Sequence, residues 1–154
     1  MRRCFSAYPQ FWYQIGSTAN SIYCDDALNM TSRIREFYKK CAIECFEEYY
    51  HLNKFSILRN DIITAAWALE YIDLLNLNEP QNISKGAALA DIAEKNVGPN
   101  NGDILELCAY AQLKLGDKNH AARLFKKLVA QNYNSEINAR ILSGLYIQQS
   151  RSAD

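Results

Sequence analysis

Glycine and proline are scarce in this sequence, six and three in 154 residues. So few turn residues disfavour a turn-rich β sandwich and favour helices. Net charge is missing too, because 17 Lys and Arg balance 17 Asp and Glu. A balanced chain is not built as a general polyanion binder, although a local basic patch stays open. No stretch approaches the roughly 18 apolar residues of a membrane span. Met1-Arg2-Arg3 leads into aromatic sequence, but Pro9, Gln10 and Gln14 interrupt it. That pattern lacks the unbroken apolar stretch and cleavage site of a secretion signal. Histidine is limited to His51 and His120, neither near a catalytic-type motif. There is no Gly-rich phosphate loop, no G-x-S-x-G and no paired metal motif. The expectation is a cytoplasmic, non-enzymatic protein with no cofactor and no membrane partner.

What is present suits one folded domain, or one domain with an arm. Hydrophobic residues make up 49% and charged residues 22%, ordinary values for a globular chain. At this length folding buries about 68–70% of the unfolded surface, so a core needs no staples. The five cysteines, Cys4, Cys24, Cys41, Cys45 and Cys108, are odd in number and repeat no spacing. They read as reduced thiols. Cys41 and Cys45 stand four apart on one helix face, but a closed zinc site needs two more ligands and only His51 is near. The expected reading is two small apolar core residues and no metal.

Residues 1–24 form an arm rich in aromatics, with no helical period that survives Gly16 and Ser17. Phe5, Tyr8, Phe11, Trp12 and Tyr13 either pack on the domain or form a surface for a partner. Residues 25–67 are a helical region. A long helix capped by Asp25 or Asp26 carries Met30, Ile34, Phe37, Cys41, Cys45, Tyr49 and Leu52 on one face. Tyr38, Phe46 and Tyr50 widen that stripe, so a second covering element or a second copy of the chain is expected there. A second helix runs from about Asp61 to Asn76, with Asn76 to Asn82 as a loop around Pro80. A third spans about Ser84 to Asn96 and stops at Gly98-Pro99, before the loop Pro99 to Gly102. A fourth starts at Asp103, with Glu106 as a capping-box-like partner. Gly116-Asp117 break the chain and Asp117 caps the next helix, which buries Ala121, Leu124, Phe125 and Leu128. Asn132 to Asn134 turn into a last helix with Ile137, Ile141 and Leu145, and residues 150–154 fray. Nothing alternates with period two, so no sheet is expected.

Two helices joined at a Gly, with Ala-x3-Phe in the second, resemble the tetratricopeptide repeat. The clear block is residues 102–135. Gly116-Asp117 fall at the turn, Ala121 at the small position and Phe125 at the aromatic one. Leu105 replaces the usual Trp, Gln112 the usual Tyr and Tyr133 the closing Pro. Steps of 34 residues link Leu74, Cys108 and Leu142, then Ala87 and Ala121, then Pro99 and Tyr133. Residues 68–101 read as a degenerate earlier repeat, one residue out of register at Asp91, and residues 136–149 as a capping helix. The resemblance implies an all-α fold of antiparallel helix pairs, stacked as a short right-handed superhelix with an N-terminal helical arm.

It also implies a concave groove lined by the first helix of each pair. Asp103, Glu106, Tyr110, Leu113 and Lys114 take those positions in the clear repeat, and Ile137, Arg140, Gly144, Ile147 and Gln148 in the next. The partner-binding residues expected from this are Asp103, Glu106, Tyr110, Lys114, Arg140 and Gln148. Such a mixed lining suits a peptide or helix of another protein. The implied function is a protein-interaction module: a chaperone, adaptor or assembly subunit, similar in architecture to bacterial secretion chaperones. A homodimer through the N-terminal helical region is the other partner reading. The alternative is a small nucleic-acid-associated regulator using the basic face Arg123, Lys126 and Lys127, which charge neutrality disfavours.

Overall fold

The computed structural model describes residues 8–53, 61–98 and 101–151. The expectations for Cys4, Phe5, Pro99, Asn100 and residues 152–154 fall outside these. The described residues hold seven helices and no strand: α1 (Pro9–Cys24), α2 (Ser32–Asn53), α3 (Ile62–Leu74), α4 (Pro80–Asn96), α5 (Gly102–Lys114), α6 (Lys118–Ala130) and α7 (Ser135–Arg151). The all-α class read from the missing period-two pattern is therefore correct. The chain divides into two compact units, residues 1–58 with 73–75, and residues 59–72 with 76–154.

The first unit contains α1 packed on α2. Within the arm, Pro9–Cys24 is one continuous helix; the arm is helical as expected, but its period runs straight through Gly16 and Ser17, where the sequence suggested a break. Gly16 is a close-packing site and not a breaker. A Cβ there would stand 2.5 Å from Cε1 of Phe46, so only glycine lets the two helices meet at this depth. Phe46 is fully buried, and Tyr13 packs on Phe46 and Tyr49 with ring centroids 6.4 and 6.0 Å apart. α2 starts later than expected, at Ser32, with Thr31 as its cap: the amide of Ile34 donates to Thr31 Oγ1 at 3.4 Å. Asp25 accepts from the amide of Ala27 instead, and Asp26 pairs with Arg35 at 3.1 Å. These contacts hold the reversal that lets α2 return along α1. The buried face of α2 is Ala42, Cys45, Phe46 and Tyr49. Ile34, Phe37 and Leu52, placed on the core stripe from their spacing, are exposed.

The second unit carries α4 to α7 and α3 up to Ile72. Asp61 accepts from the amide of Ile63 and the hydroxyl of Thr64, which caps α3. α3 and α4 run antiparallel: the amide of Asp61 donates to Asn96 Oδ1, and Lys85 donates to the hydroxyl of Tyr71. Pro80 opens α4 at its first position, where its missing N–H costs nothing. The helix therefore begins four residues before the Ser84 expected from the loop reading. Glu94 near the end of α4 meets His120 of α6 at 2.7 Å. Asn101, not Asp103, caps α5, through the amide of Ile104 at 3.1 Å. Gly116 has φ +86 in the turn to α6, and Asp117 caps α6 through the amide of His120 at 2.9 Å. Lys118 at the start of α6 donates to Gln148 near the end of α7, so these two are antiparallel as well.

Ala121, Leu124, Phe125 and Leu128 are buried, as the spacing requires. Gly86, Leu89, Ala90 and Ala93 form the matching buried row of α4, each one residue beyond a 34-residue step. Ala87 is exposed, so the Ala87–Ala121 equivalence is wrong by one position, the one-residue slip expected at Asp91. Leu74 and Cys108 do not superpose either. Leu74 ends α3, whereas Cys108 lies mid-way along α5.

Among the described residues, Cys24, Cys41, Cys45 and Cys108 form no disulfide. Burial pushes the Cys45 thiol up to about 11, helped by the nearby Cys41 and by Glu44 and Glu48. Burial and then Glu94 push the Cys108 thiol up to about 12. Both folded values exceed that of a free thiol. Their contribution to stability is complete below about pH 9 and lost as pH rises toward 11–12. Reaction needs the thiolate. Alkylation of the native protein at pH 8, read by peptide mass spectrometry, should label Cys24 and leave Cys45 and Cys108 unmodified until denaturant is added.

Candidate functional site

The outward face of α5 lies opposite its buried row of Leu105, Cys108, Ala109 and Gln112. Asp103, Glu106, Tyr110 and Lys114 recur there at three and four residues, so one helix face presents them all. The same reasoning puts Ile137, Arg140, Gly144, Ile147 and Gln148 on the side of α7 away from buried Asn138 and Leu145. Two contacts tie the turn before α7 to α5. The Tyr133 hydroxyl donates to the Asp103 carboxylate, and Asn134 Nδ2 donates to both Glu106 oxygens at 3.3 and 3.4 Å. They hold the start of α7 beside the first turn of α5. The bond to Asp103 also pushes the Tyr133 hydroxyl up to about 12, with desolvation and the charges of Asp103 and Glu106 adding to it.

The six expected binding residues therefore have different roles. Asp103 and Glu106 are engaged by the turn between α6 and α7, where they hold the stack together. Arg140 forms an i,i+4 pair with Glu136 at 2.7 Å, with both side chains exposed. Such a pair leaves the guanidinium open to competition from a partner. Gln148 accepts from Lys118 Nζ at 3.1 Å, and Lys114 is exposed. Tyr110 is 42% exposed, and its ring meets the buried Phe125 ring edge-on, with centroids 5.5 Å apart. It belongs partly to the core.

Leu107 was missed by the sequence reading. It is 51% exposed, and Ile137 and Ile147 are 57% and 53% exposed. Leu107 stands four residues after Asp103 and three before Tyr110, a spacing that already places it in the row. Around Gly144 a Cβ would meet nothing within 4 Å, so the α7 face is open at its centre. The surface thus offers four apolar side chains, interleaved with Lys114, Arg140 and Gln148.

Arg123, Lys126 and Lys127 are exposed on α6, and Lys127 lies 4.0 Å from Glu94. Among the described residues, no group of three or more His, Cys, Asp or Glu side chains is placed to hold a metal ion. No described helix is long and apolar enough to cross a membrane. No family model, curated protein or solved structure matches this chain.

Proposed function

We propose that this chain is a protein-binding module of the tetratricopeptide type. It holds a helical or extended segment of another protein against the outward faces of α5 and α7. The observation that carries the reading is that Leu107 and Tyr110 on α5 and Ile137 and Ile147 on α7 are large apolar side chains left exposed, on helices whose first turns the Tyr133–Asp103 and Asn134–Glu106 bonds tie to one another. Apolar anchors within a polar frame are the ordinary composition of a recognition surface. The repeat reading is supported by the α5–α6 pair, with Gly116 in the turn and Ala121 and Phe125 fully buried. Lys114 and Arg140 favour a segment with an acidic residue beside its apolar ridge. Chaperone, adaptor and assembly subunit all use such a surface, and the likeness to secretion chaperones is one of architecture.

The test is site-specific photo-crosslinking in cells, with a photoreactive residue placed singly at Leu107, Ile137, Ile147 or Arg123. The three apolar positions should give one shared protein adduct that Arg123 does not. Adducts at Arg123 alone, or adducts to nucleic acid, would replace this reading.

A further inference from the structure

α1 carries no charged side chain over its whole length, Pro9–Cys24. One face of it packs on α2 through Tyr13 and Gly16. Another borders a groove of about 390 Å³ between the two helices, walled by Phe11, Ile15, Ile22, Tyr38 and Cys41. The groove is mostly apolar and open to solvent. Phe37, 61% exposed, and Ile34, 46% exposed, belong to the same helix, α2, as its wall residues Tyr38 and Cys41.

The charges on α2 indicate what fits this face. Its first half holds Arg33, Arg35, Lys39 and Lys40 against one acid, Glu36. Its second half holds Glu44, Glu47 and Glu48 and no Lys or Arg. Arg35 is engaged by Asp26 and the Tyr23 carbonyl, and Lys39 lies over the Tyr23 ring. Arg33, Lys40, Glu44 and Glu48 are exposed and recur with Phe37 at helical spacing, beside Cys41. The row runs from basic to acidic along one helix. A foreign segment would need the reverse gradient to match it. A second copy supplies that gradient when a two-fold axis crosses α2 near its middle, because the basic half of each then faces the acidic half of the other.

We propose that the chain self-associates as a two-fold dimer, with antiparallel α2 helices and the Phe37 edge of each copy closing the α1–α2 groove of the other. This surface lies in the first unit and is independent of the binding face on α5 and α7.

The test is sedimentation equilibrium of the full chain from about 1 to 100 μM, a range that brackets a micromolar dissociation constant. The expected mass is twice the 17.6 kDa of the chain. Two charge variants follow, Arg33→Glu with Lys40→Glu, and Glu44→Lys with Glu48→Lys. Each alone should dimerise roughly tenfold or more weakly, because every opposed pair becomes repulsive. Mixed together they should recover a heterodimer. All four side chains are exposed, so far-ultraviolet circular dichroism should be unchanged. Phe37→Lys is an independent variant that should also give a monomer. A monomeric wild type overturns the proposal. A dimer indifferent to Phe37→Lys and to both charge variants overturns it as well, and so does a mixture that fails to recover.

Discussion

Replacing Phe125 with alanine should destabilise the second unit by about 3–5 kcal/mol, the range for removing a fully enclosed aromatic ring. Phe125 is entirely buried on α6, and its ring is the one that Tyr110 meets edge-on. The substitution removes the packed volume and the aromatic pair together, and the pair alone is worth about 0.5–1.5 kcal/mol. Neighbouring Leu124 and Leu128 are also fully buried, so the walls of the cavity have little freedom to collapse. The melting temperature should fall by roughly 10–20 °C. Hydrogen exchange should show the loss of protection in α5, α6 and α7. A variant that melts like the wild type would mean that Phe125 does not join the helices around it.

Gly16→Val should destabilise the first unit by about 2–3 kcal/mol. A Cβ at this position falls 2.5 and 2.6 Å from two atoms of the Phe46 ring and 3.2 Å from Cβ of Cys45. The ring is fully buried and cannot swing aside, so α1 and α2 must move apart. A branched side chain adds bulk at the point of closest approach. Helix propensity works in the opposite direction, since glycine is the weaker helix former by about 1 kcal/mol or less. Gly144→Ala is the matched control. It sits inside α7 with nothing within 4 Å of the new Cβ, so it should stabilise by about 0.5–1 kcal/mol. Equal and small effects of the two substitutions would show that Gly16 is not a contact glycine.

These positions also show what the sequence disclosed. The α5–α6 pair was legible because its signals are local. Gly116 needs a positive φ, Asp117 caps three residues on, and Ala121 and Phe125 fall on one face by spacing alone. The continuity of α1 through Gly16 was not legible, because the reason for glycine there is the close approach of Phe46, thirty positions away. The α4 row was legible only to within a residue. Pro80 serves as the first residue of the helix, and the loop before it sets the register. The proposed binding face was half legible. Helical spacing put Tyr110, Lys114, Arg140 and Gln148 at positions that are exposed. It did not reveal that Tyr133 and Asn134 would engage Asp103 and Glu106, since those bonds join residues 30 and 28 apart. The core row of α2 held at Cys45 and Tyr49 but was misplaced at Ile34, Phe37 and Leu52, for the same reason. Ile34 and Phe37 have the spacing of a core stripe, but α1 meets α2 on the adjacent face.

The outward faces of α5 and α7 are proposed to bind a protein segment. Tyr110→Ala is an impure test of this, because the edge-on contact with Phe125 ties that ring to stability. Leu107→Glu is cleaner. Leu107 is half exposed, and glutamate is a good helix former, so the melting temperature should stay within a few degrees of the wild type. The decisive measurement is the affinity of Leu107→Glu for the protein that crosslinks at Ile137 and Ile147, by titration calorimetry beside the wild type. Loss of a central apolar anchor should weaken binding by about 1–2 kcal/mol or more, roughly tenfold in the dissociation constant, at unchanged stability. An unchanged affinity for that protein would contradict the assignment of the binding face.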